Sequence, residues 1–185
     1  MQENQGKTMD REKLQMCRTA VRKSVYCRSA EIERMMLLYG AELMASPGMQ
    51  LEKTFLQHGA VSVFEHSVNV ACLCLWLAFL MKCTVNYGAL VKGALLHDYF
   101  LYDWHVPDAS HRLHGFTHPG QAVKNAERDF GLSVIERDMI RTHMFPMTPV
   151  PPRYRESRIL CMADKIAAAQ ETAAGLWGML LPAQA

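Results

Sequence analysis

The adjacent residues His97 and Asp98 place two metal-binding side-chain types directly after an apolar run, residues 88–96. Imidazole and carboxylate groups are common ligands of divalent cations. Neighbouring residues on a regular helix point about 100° apart, so both can reach one ion only near a helix end or between partners on either side. Residues 99–108 lose helical periodicity and run into a Pro-Asp turn signal, which predicts such an end. Further ligand types lie elsewhere in the chain: His66 upstream, and His118, His143 and Asp164 downstream.

Two of these residues lie in stretches where a polar side chain needs a partner. His66 is on a predicted helix that is otherwise apolar from Val61 to Met81, and Asp164 is in the apolar segment 159–167. A buried carboxylate is costly to desolvate unless a cation neutralises it. Lys165 could pair with Asp164, but neighbours on a helix diverge, which favours a metal ion. A mixed nitrogen and oxygen set that suits divalent Fe, Mn, Co, Ni or Zn, with no cysteine required, is formed by His66, His97, Asp98 and Asp164.

The ordered series His66, His97-Asp98 and Asp164 resembles the ligand series of the HD superfamily of metal-dependent phosphohydrolases, and the similarity extends over roughly residues 51–174. His118 and His143 are similar to the two further histidines that hold a second ion in the dinuclear branch. The resemblance implies two ions bridged by Asp98, with a bridging water as the nucleophile near neutral pH. Two alternatives stay open: His118 as a helix cap whose imidazole faces phosphate, and His143 as a donor outside the coordination sphere.

The segment His118-Pro119-Gly120, at a predicted helix start, is similar to the His-Pro segment of the HD-GYP phosphodiesterases. Those enzymes continue with a double histidine and a Gly-Tyr-Pro motif, whereas here His143 is followed by Met144-Phe145-Pro146. Specificity for cyclic dinucleotides therefore does not carry over. The closest resemblance is to small, stand-alone bacterial HD proteins.

The residues from Asp103 to Thr117 lie between the His-Asp pair and His118, so we expect them to form a loop over the metal ions, where substrate contacts concentrate. We predict that His114 contacts the substrate or its leaving group, and that Asp103 and His105 orient a ligand. Candidates to neutralise phosphate oxygens are Arg112, Lys124, Arg141 and Lys165. The predicted catalytic set is therefore Asp98, His114, Arg112 and Lys165.

The pattern favours a phosphohydrolase or phosphodiesterase that acts on a nucleotide or a small phosphoester through a metal-activated water. No protein nucleophile is needed, and the sequence contains no Gly-x-Ser-x-Gly elbow or Gly-rich phosphate loop. Two alternatives use the same ligands. Some HD-like proteins that resemble this chain are mixed-valent di-iron oxygenases, which oxygen uptake with reduced iron would reveal. The non-enzymatic alternative is a metal-stabilised module that binds a nucleotide without turnover.

The composition of the chain limits which binding partners and which cellular location we expect for the protein. The chain has 185 residues, 50% of them hydrophobic, and a net charge of +2, too small to indicate nucleic acid or an anionic membrane as the main partner. The six cysteines lack the spacing of a disulfide framework or a zinc site. Residues 1–7 are polar with no apolar segment behind them, and the apolar stretch 69–81 is too short to span a bilayer. We expect a cytoplasmic protein, and a homodimer through the N-terminal helices stays open.

Helical periodicity dominates the chain, with few alternating β-branched runs that would indicate strands. The predicted fold is all-α: one compact helical bundle with the metal site in its core, in which residues 1–50 pack as N-terminal helices on the HD domain of residues 51–185. Thr117 or His118 is expected to cap the sixth helix, with Pro119 in its first turn. The predicted helices are residues 10–27, 29–45, 50–57, 60–82, 86–98, 118–129, 132–143 and 154–178.

Overall fold

The computed structural model describes residues 9–108 and 112–180. Within these ranges the chain forms eight α-helices, a short 3₁₀-helix and one two-stranded hairpin. The α-helices are α1 (Arg11–Lys23), α2 (Ala30–Met44), α3 (Pro47–Leu51), α4 (Val63–Leu80), α5 (Tyr87–Leu95), α6 (His114–Phe130), α7 (Val134–Thr142) and α8 (Arg155–Leu180). The 3₁₀-helix is Glu52–Thr54, and the strands β1 (Leu56–His58) and β2 (Val61–Ser62) pair antiparallel. The predicted all-α class is confirmed.

The central helix is α4, which packs against α1, α2, α5 and α8. It begins with a capping box, in which the Ser62 hydroxyl accepts the Glu65 N–H and the Glu65 carboxylate accepts the Ser62 N–H. Among the described residues it is the one helix that is long and apolar enough to cross a membrane, with 18 residues and a mean hydropathy of 1.7. However, 72% of it is buried inside the fold, as in a core helix of a folded domain.

One buried hydrophobic cluster joins the N-terminal helices to the rest of the chain. It includes Val21 of α1 and Met36 of α2 together with residues of α4, α5 and α7. α5 also packs tightly against α7, where a Cβ added at Gly93 would lie 2.6 Å from the sulfur of Met139. Near its C-terminal end, just before His97, α5 therefore packs against both α2 and α7.

The predicted helix over residues 50–57 is wrong in its second half. The chain leaves helical geometry after Thr54, enters β1 and turns at Gly59, whose φ of 61° lies in the left-handed region that favours glycine. A Cβ added at Gly59 would lie 3.5 Å from the Cα of Gly175, so the hairpin packs closely on α8. Strands this short leave no periodic signal in the sequence. Gln57 and His58 lie on β1, which packs against both α4 and α8.

The sixth helix begins one turn earlier than predicted, at His114, so neither Thr117 nor His118 is its cap. The carbonyl of Leu113 accepts the N–H groups of Phe116 at 2.8 Å and Thr117 at 3.1 Å, which starts the helix before Pro119 is reached. Pro119 consequently lies inside the helix rather than in its first turn. The end of the predicted loop from Asp103 to Thr117 is thus helical, and its residues 109–111 lie outside the described residues.

Candidate metal centre

Five structural elements bring the predicted ligands together in the core. α5 ends at Leu95, three residues before the predicted helix end at residue 98, and both His97 and Asp98 point inward from the turn that follows. α4 contributes its residue near the N-terminus, α6 and α8 contribute residues from their interiors, and α7 contributes the residue directly after its last turn. All six residues are buried, with exposed fractions from 0% to 9%: His66, His97, Asp98, His118, His143 and Asp164.

Four donors form one side of the centre. Nε2 of His66 lies 3.2 Å from Oδ1 of Asp164, and Nε2 of His97 lies 3.6 Å from the same oxygen. Oδ2 of Asp98 lies 3.5 Å from Nε2 of His97 and 3.9 Å from Nε2 of His66. We call His66, His97, Asp164 and Oδ2 of Asp98 the His66 group.

Three donors form the other side. Oδ1 of Asp98 lies 3.2 Å from Nε2 of His118 and 3.5 Å from Nε2 of His143, and the two Nε2 atoms are 2.9 Å apart. We call His118, His143 and Oδ1 of Asp98 the His118 group. The two oxygens of the Asp98 carboxylate therefore face two different sets of nitrogen donors.

Hydrogen bonds fix the protonation of the four imidazoles. Nδ1 of three of them lies within 2.8 Å of a backbone carbonyl, of Ala94, His114 or Ile140, and Nδ1 of His66 lies 2.7 Å from Oε2 of Glu171. Since these oxygens can only accept, each Nδ1 carries the proton, and in the neutral ring Nε2 presents a lone pair.

The Nε2 atoms of His118 and His143 face each other, which favours a cation beside them. Two neutral Nε2 atoms cannot hydrogen-bond at 2.9 Å, so this contact fits either a proton shared by His118 and His143 or a metal ion that both ligate. Nε2 of His97 and Oδ1 of Asp98 are buried without a hydrogen-bond partner among the described residues. Orphaned, buried lone pairs on imidazole and carboxylate groups fit the ligand requirements of a divalent ion.

Electrostatics also favour positive charge at this position. Burial opposes the ionised forms of Asp98 and Asp164, but the neighbouring histidines outweigh it and hold the pKa of both carboxyls below its usual range. Burial likewise opposes charge on His66, yet Asp164 and Glu171 raise its pKa to about 10. By contrast, burial and two neighbouring histidines lower the pKa of His143 to about 3, so that ring stays neutral. The centre therefore keeps two carboxylates at neutral pH and stabilises a cation beside them.

Three residues that support the ligands were missed by the sequence analysis. Gln57 donates from Nε2 to Oδ2 of Asp98 at 2.6 Å, and Glu171 accepts from His66. Asn69 donates from Nδ2 to Oε1 of Glu171 at 2.9 Å. Helix spacing held a signal for the last two, since Asn69 follows His66 by three residues and Glu171 follows Asp164 by seven. The sequence held no such signal for Gln57, because this residue lies on the hairpin, which hydrophobic periodicity did not predict.

Two further titratable residues lie close to the centre. Glu52 is fully buried, and neither of its carboxylate oxygens has a partner among the described residues. Burial and the charge of Asp98 raise the pKa of Glu52 well above its usual range. His58 is half-buried, with its ring edge-on to His66 at a centroid distance of 5.4 Å.

Two of the residues predicted to contact the substrate, His114 and Lys165, lie near the centre. The half-buried ring of His114 stacks on His118 at 4.6 Å and on Trp104 at 5.1 Å, and its Nδ1 lies 2.9 Å from the Tyr102 hydroxyl. Nζ of Lys165 donates to the carbonyl of His143 at 3.0 Å. These two residues therefore lie against the His118 group.

The remaining candidates lie on the surface. Arg112 is exposed in the turn before α6, and Lys124 and Arg141 are exposed on α6 and α7. Asp103 and His105 contact each other at 3.3 Å, and neither contacts a predicted ligand within the described part of the chain. The structure therefore does not support their predicted role in orienting a ligand.

Comparison with known proteins agrees with this centre. A model of the HD domain family matches residues 63–169, more than half of the chain, and the match includes all six predicted ligands. Searches of curated proteins and of solved structures found no match. The HD domain implies the superfamily of metal-dependent hydrolases, and the clustered histidine and aspartate side chains suit a divalent cation. From the ligand order, the helical fold and this match, the chain belongs to the HD domain family.

Proposed function

We propose that this chain is a phosphohydrolase or phosphodiesterase that acts on a nucleotide or a small phosphoester through a metal-activated water. The observation that carries the proposal is the division of the Asp98 carboxylate, whose Oδ1 faces the His118 group and whose Oδ2 faces the His66 group. A carboxylate in this position can bridge two cations a few ångströms apart, as in sites that catalyse in-line displacement at phosphorus. Each group would hold one ion, of Fe, Mn, Co, Ni or Zn.

The chain contributes orientation and charge to this reaction. When bound, the two ions supply Lewis-acid chemistry that lowers the pKa of water and stabilises charge on phosphoryl oxygens. His66, His97 and Asp164 would hold one ion and His118 and His143 the other, with Asp98 shared. Because every Nδ1 is fixed by an acceptor, each Nε2 is aimed at the centre before any ion or substrate arrives.

Three residues are assigned to the substrate, and two of them, His114 and Lys165, lie beside the His118 group. Lys165 and Arg112 would offset charge on the phosphate oxygens, Lys165 from its position at the His143 carbonyl and Arg112 from the exposed turn before α6. His114 would contact the leaving group as a hydrogen-bond donor from Nε2. Burial and the charge of Asp98 raise the pKa of Tyr102 to about 12, so its hydroxyl stays protonated and can donate to Nδ1 of His114.

The test is a phosphatase and phosphodiesterase screen on protein depleted of metal and then loaded anaerobically with Mn²⁺, Fe²⁺, Co²⁺ or Ni²⁺. We expect hydrolysis that depends on the added metal, with nucleoside monophosphates, dinucleotides, cyclic nucleotides and small phosphoesters as the substrates to compare. Asp164→Asn should abolish this activity. The matched control is Asp129→Asn, since Asp129 pairs with Arg128 and Tyr99 outside the centre. Undiminished hydrolysis by Asp164→Asn would contradict the assignment.

Other outcomes of the same screen would select the alternatives. Oxygen uptake by the iron-loaded protein without phosphoester hydrolysis would indicate a di-iron oxygenase, for which the cysteine-free donor set is equally suited. Stoichiometric metal and nucleotide binding without either reaction would indicate a binding module. A small phosphorylated substrate, a cytoplasmic location and a homodimer all stay predictions.

A further inference from the structure

His66 differs from the other three histidines of the centre in the group that accepts its Nδ1 proton. Its acceptor is the Glu171 carboxylate, at 2.7 Å, whereas His97, His118 and His143 donate to backbone carbonyls. A charged acceptor holds this proton more strongly than a neutral carbonyl, and it makes the opposite nitrogen a stronger metal ligand. The strongest imidazole donor of the centre is therefore in the His66 group.

The Glu171 carboxylate is itself held in a single orientation. Glu171 is 9% exposed, and Nδ2 of Asn69 donates to the second oxygen of its carboxylate at 2.9 Å. Asn69 lies three residues after His66 on α4, and Glu171 lies seven residues after Asp164 on α8, so each shares a helix face with a ligand. The packing of α4 against α8 thus brings together the ligands His66 and Asp164, and also the supporting residues Asn69 and Glu171.

The two groups also differ in the number of donors. The His66 group offers two imidazoles, the Asp164 carboxylate and one oxygen of Asp98, whereas the His118 group offers two imidazoles and the other oxygen of Asp98. We propose that Glu171 and Asn69 are positioning residues that make the His66 group the tighter of two metal positions, so that the first ion binds there. This inference rests on the two-ion part of the proposed function and is independent of the reaction.

The experiment is an anaerobic titration of the metal-free, full-length protein with Mn²⁺, followed by calorimetry and by metal analysis after equilibrium dialysis. The wild type should show two classes of site. Glu171→Gln should weaken the tighter class by about 10- to 100-fold, the usual effect of mutating the hydrogen-bond partner of a metal-binding histidine, and change the looser class by less than about twofold. Asn69→Ala should weaken the tighter class by a smaller factor, because it frees the carboxylate without removing it.

The matched control is Glu156→Gln. Glu156 is a buried glutamate on the same helix, 7% exposed, whose Oε1 accepts the N–H of Asn86 outside the centre. This change should leave both classes unaltered. Asn69→Ala keeps the test decisive if Glu171→Gln does not fold.

Several results would overturn the inference. These are an equal loss of affinity in both classes, a loss confined to the looser class, and unchanged binding by a folded Glu171→Gln protein. A wild type with two equal sites would also overturn it, but would leave the proposed hydrolase intact. A wild type that binds a single ion would overturn both the loading order and the two-ion centre. Absence of hydrolysis with two unequal sites would contradict the proposed function alone.

Discussion

Replacement of Asp98 by asparagine tests the centre most directly, because the side chain keeps its shape and loses its charge. Asp98 is 2% exposed, and its two oxygens face the Nε2 atoms of all four histidines and the amide of Gln57. An asparagine side chain offers one oxygen and one NH₂ group. One metal-binding group must therefore lose its carboxylate ligand and face an N–H donor in its place.

The expected loss of metal affinity follows from the burial of the Asp98 carboxylate among positively charged or metal-binding partners. Loss of one member of a buried, compensated charge pair typically costs about 3–5 kcal/mol. Since about 1.4 kcal/mol corresponds to a tenfold change in affinity, the affected ion should bind about 10²- to 10⁴-fold more weakly. We expect Asp98→Asn to retain at most one ion per chain after dialysis and to lose metal-dependent hydrolysis.

Metal analysis after anaerobic loading, together with kinetics on the best substrate, is the assay. Asp138→Asn is a suitable control, because Asp138 accepts hydrogen bonds from the Ser157 hydroxyl and the Arg153 N–H away from the centre. Circular dichroism should show that both variants fold. A folded Asp98→Asn protein with two ions and the wild-type rate would refute the assignment of Asp98 as the shared ligand.

Three further changes test other parts of the centre. His118→Ala should lower the metal content to one ion per chain by metal analysis, and loss of both ions would argue against separate groups. Arg112→Ala should raise KM more than it lowers kcat in steady-state kinetics, since a phosphate charge contact acts in ground and transition states alike; unchanged KM would exclude that contact. Glu52→Gln should stabilise the metal-free protein at pH 8 by about 1–3 kcal/mol in denaturant unfolding, because glutamine does not ionise, whereas the Glu52 carboxyl ionises freely only in the unfolded chain. The pKa of Glu52 is raised in the folded state, so the free energy of unfolding of the wild type falls as pH rises above the ordinary pKa of 4.5. The stability gained by Glu52→Gln should therefore shrink as pH is lowered towards 4.5. A gain that does not change with pH would contradict this account.

Local patterns in the sequence carry much of this protein's architecture. The apolar periodicity of α4 and α8 predicted two core helices, and it marked His66 and Asp164 as polar residues in apolar surroundings. The loss of periodicity over residues 99–108 predicted a helix end near His97 and Asp98, and the structure places that end slightly earlier, at Leu95. These features follow from residue type and helix geometry over short stretches, so they can be read without knowledge of the packing.

Only the tertiary structure determined how these residues are used. The division of the Asp98 oxygens between two groups depends on which helices meet at the turn after α5. Gln57 reaches Asp98 across 41 positions of sequence, and Glu171 reaches His66 across 105. Helix spacing predicts which side chains share a face. Which faces meet, and which oxygen then points at which nitrogen, is decided by the packing of elements that are distant in the sequence.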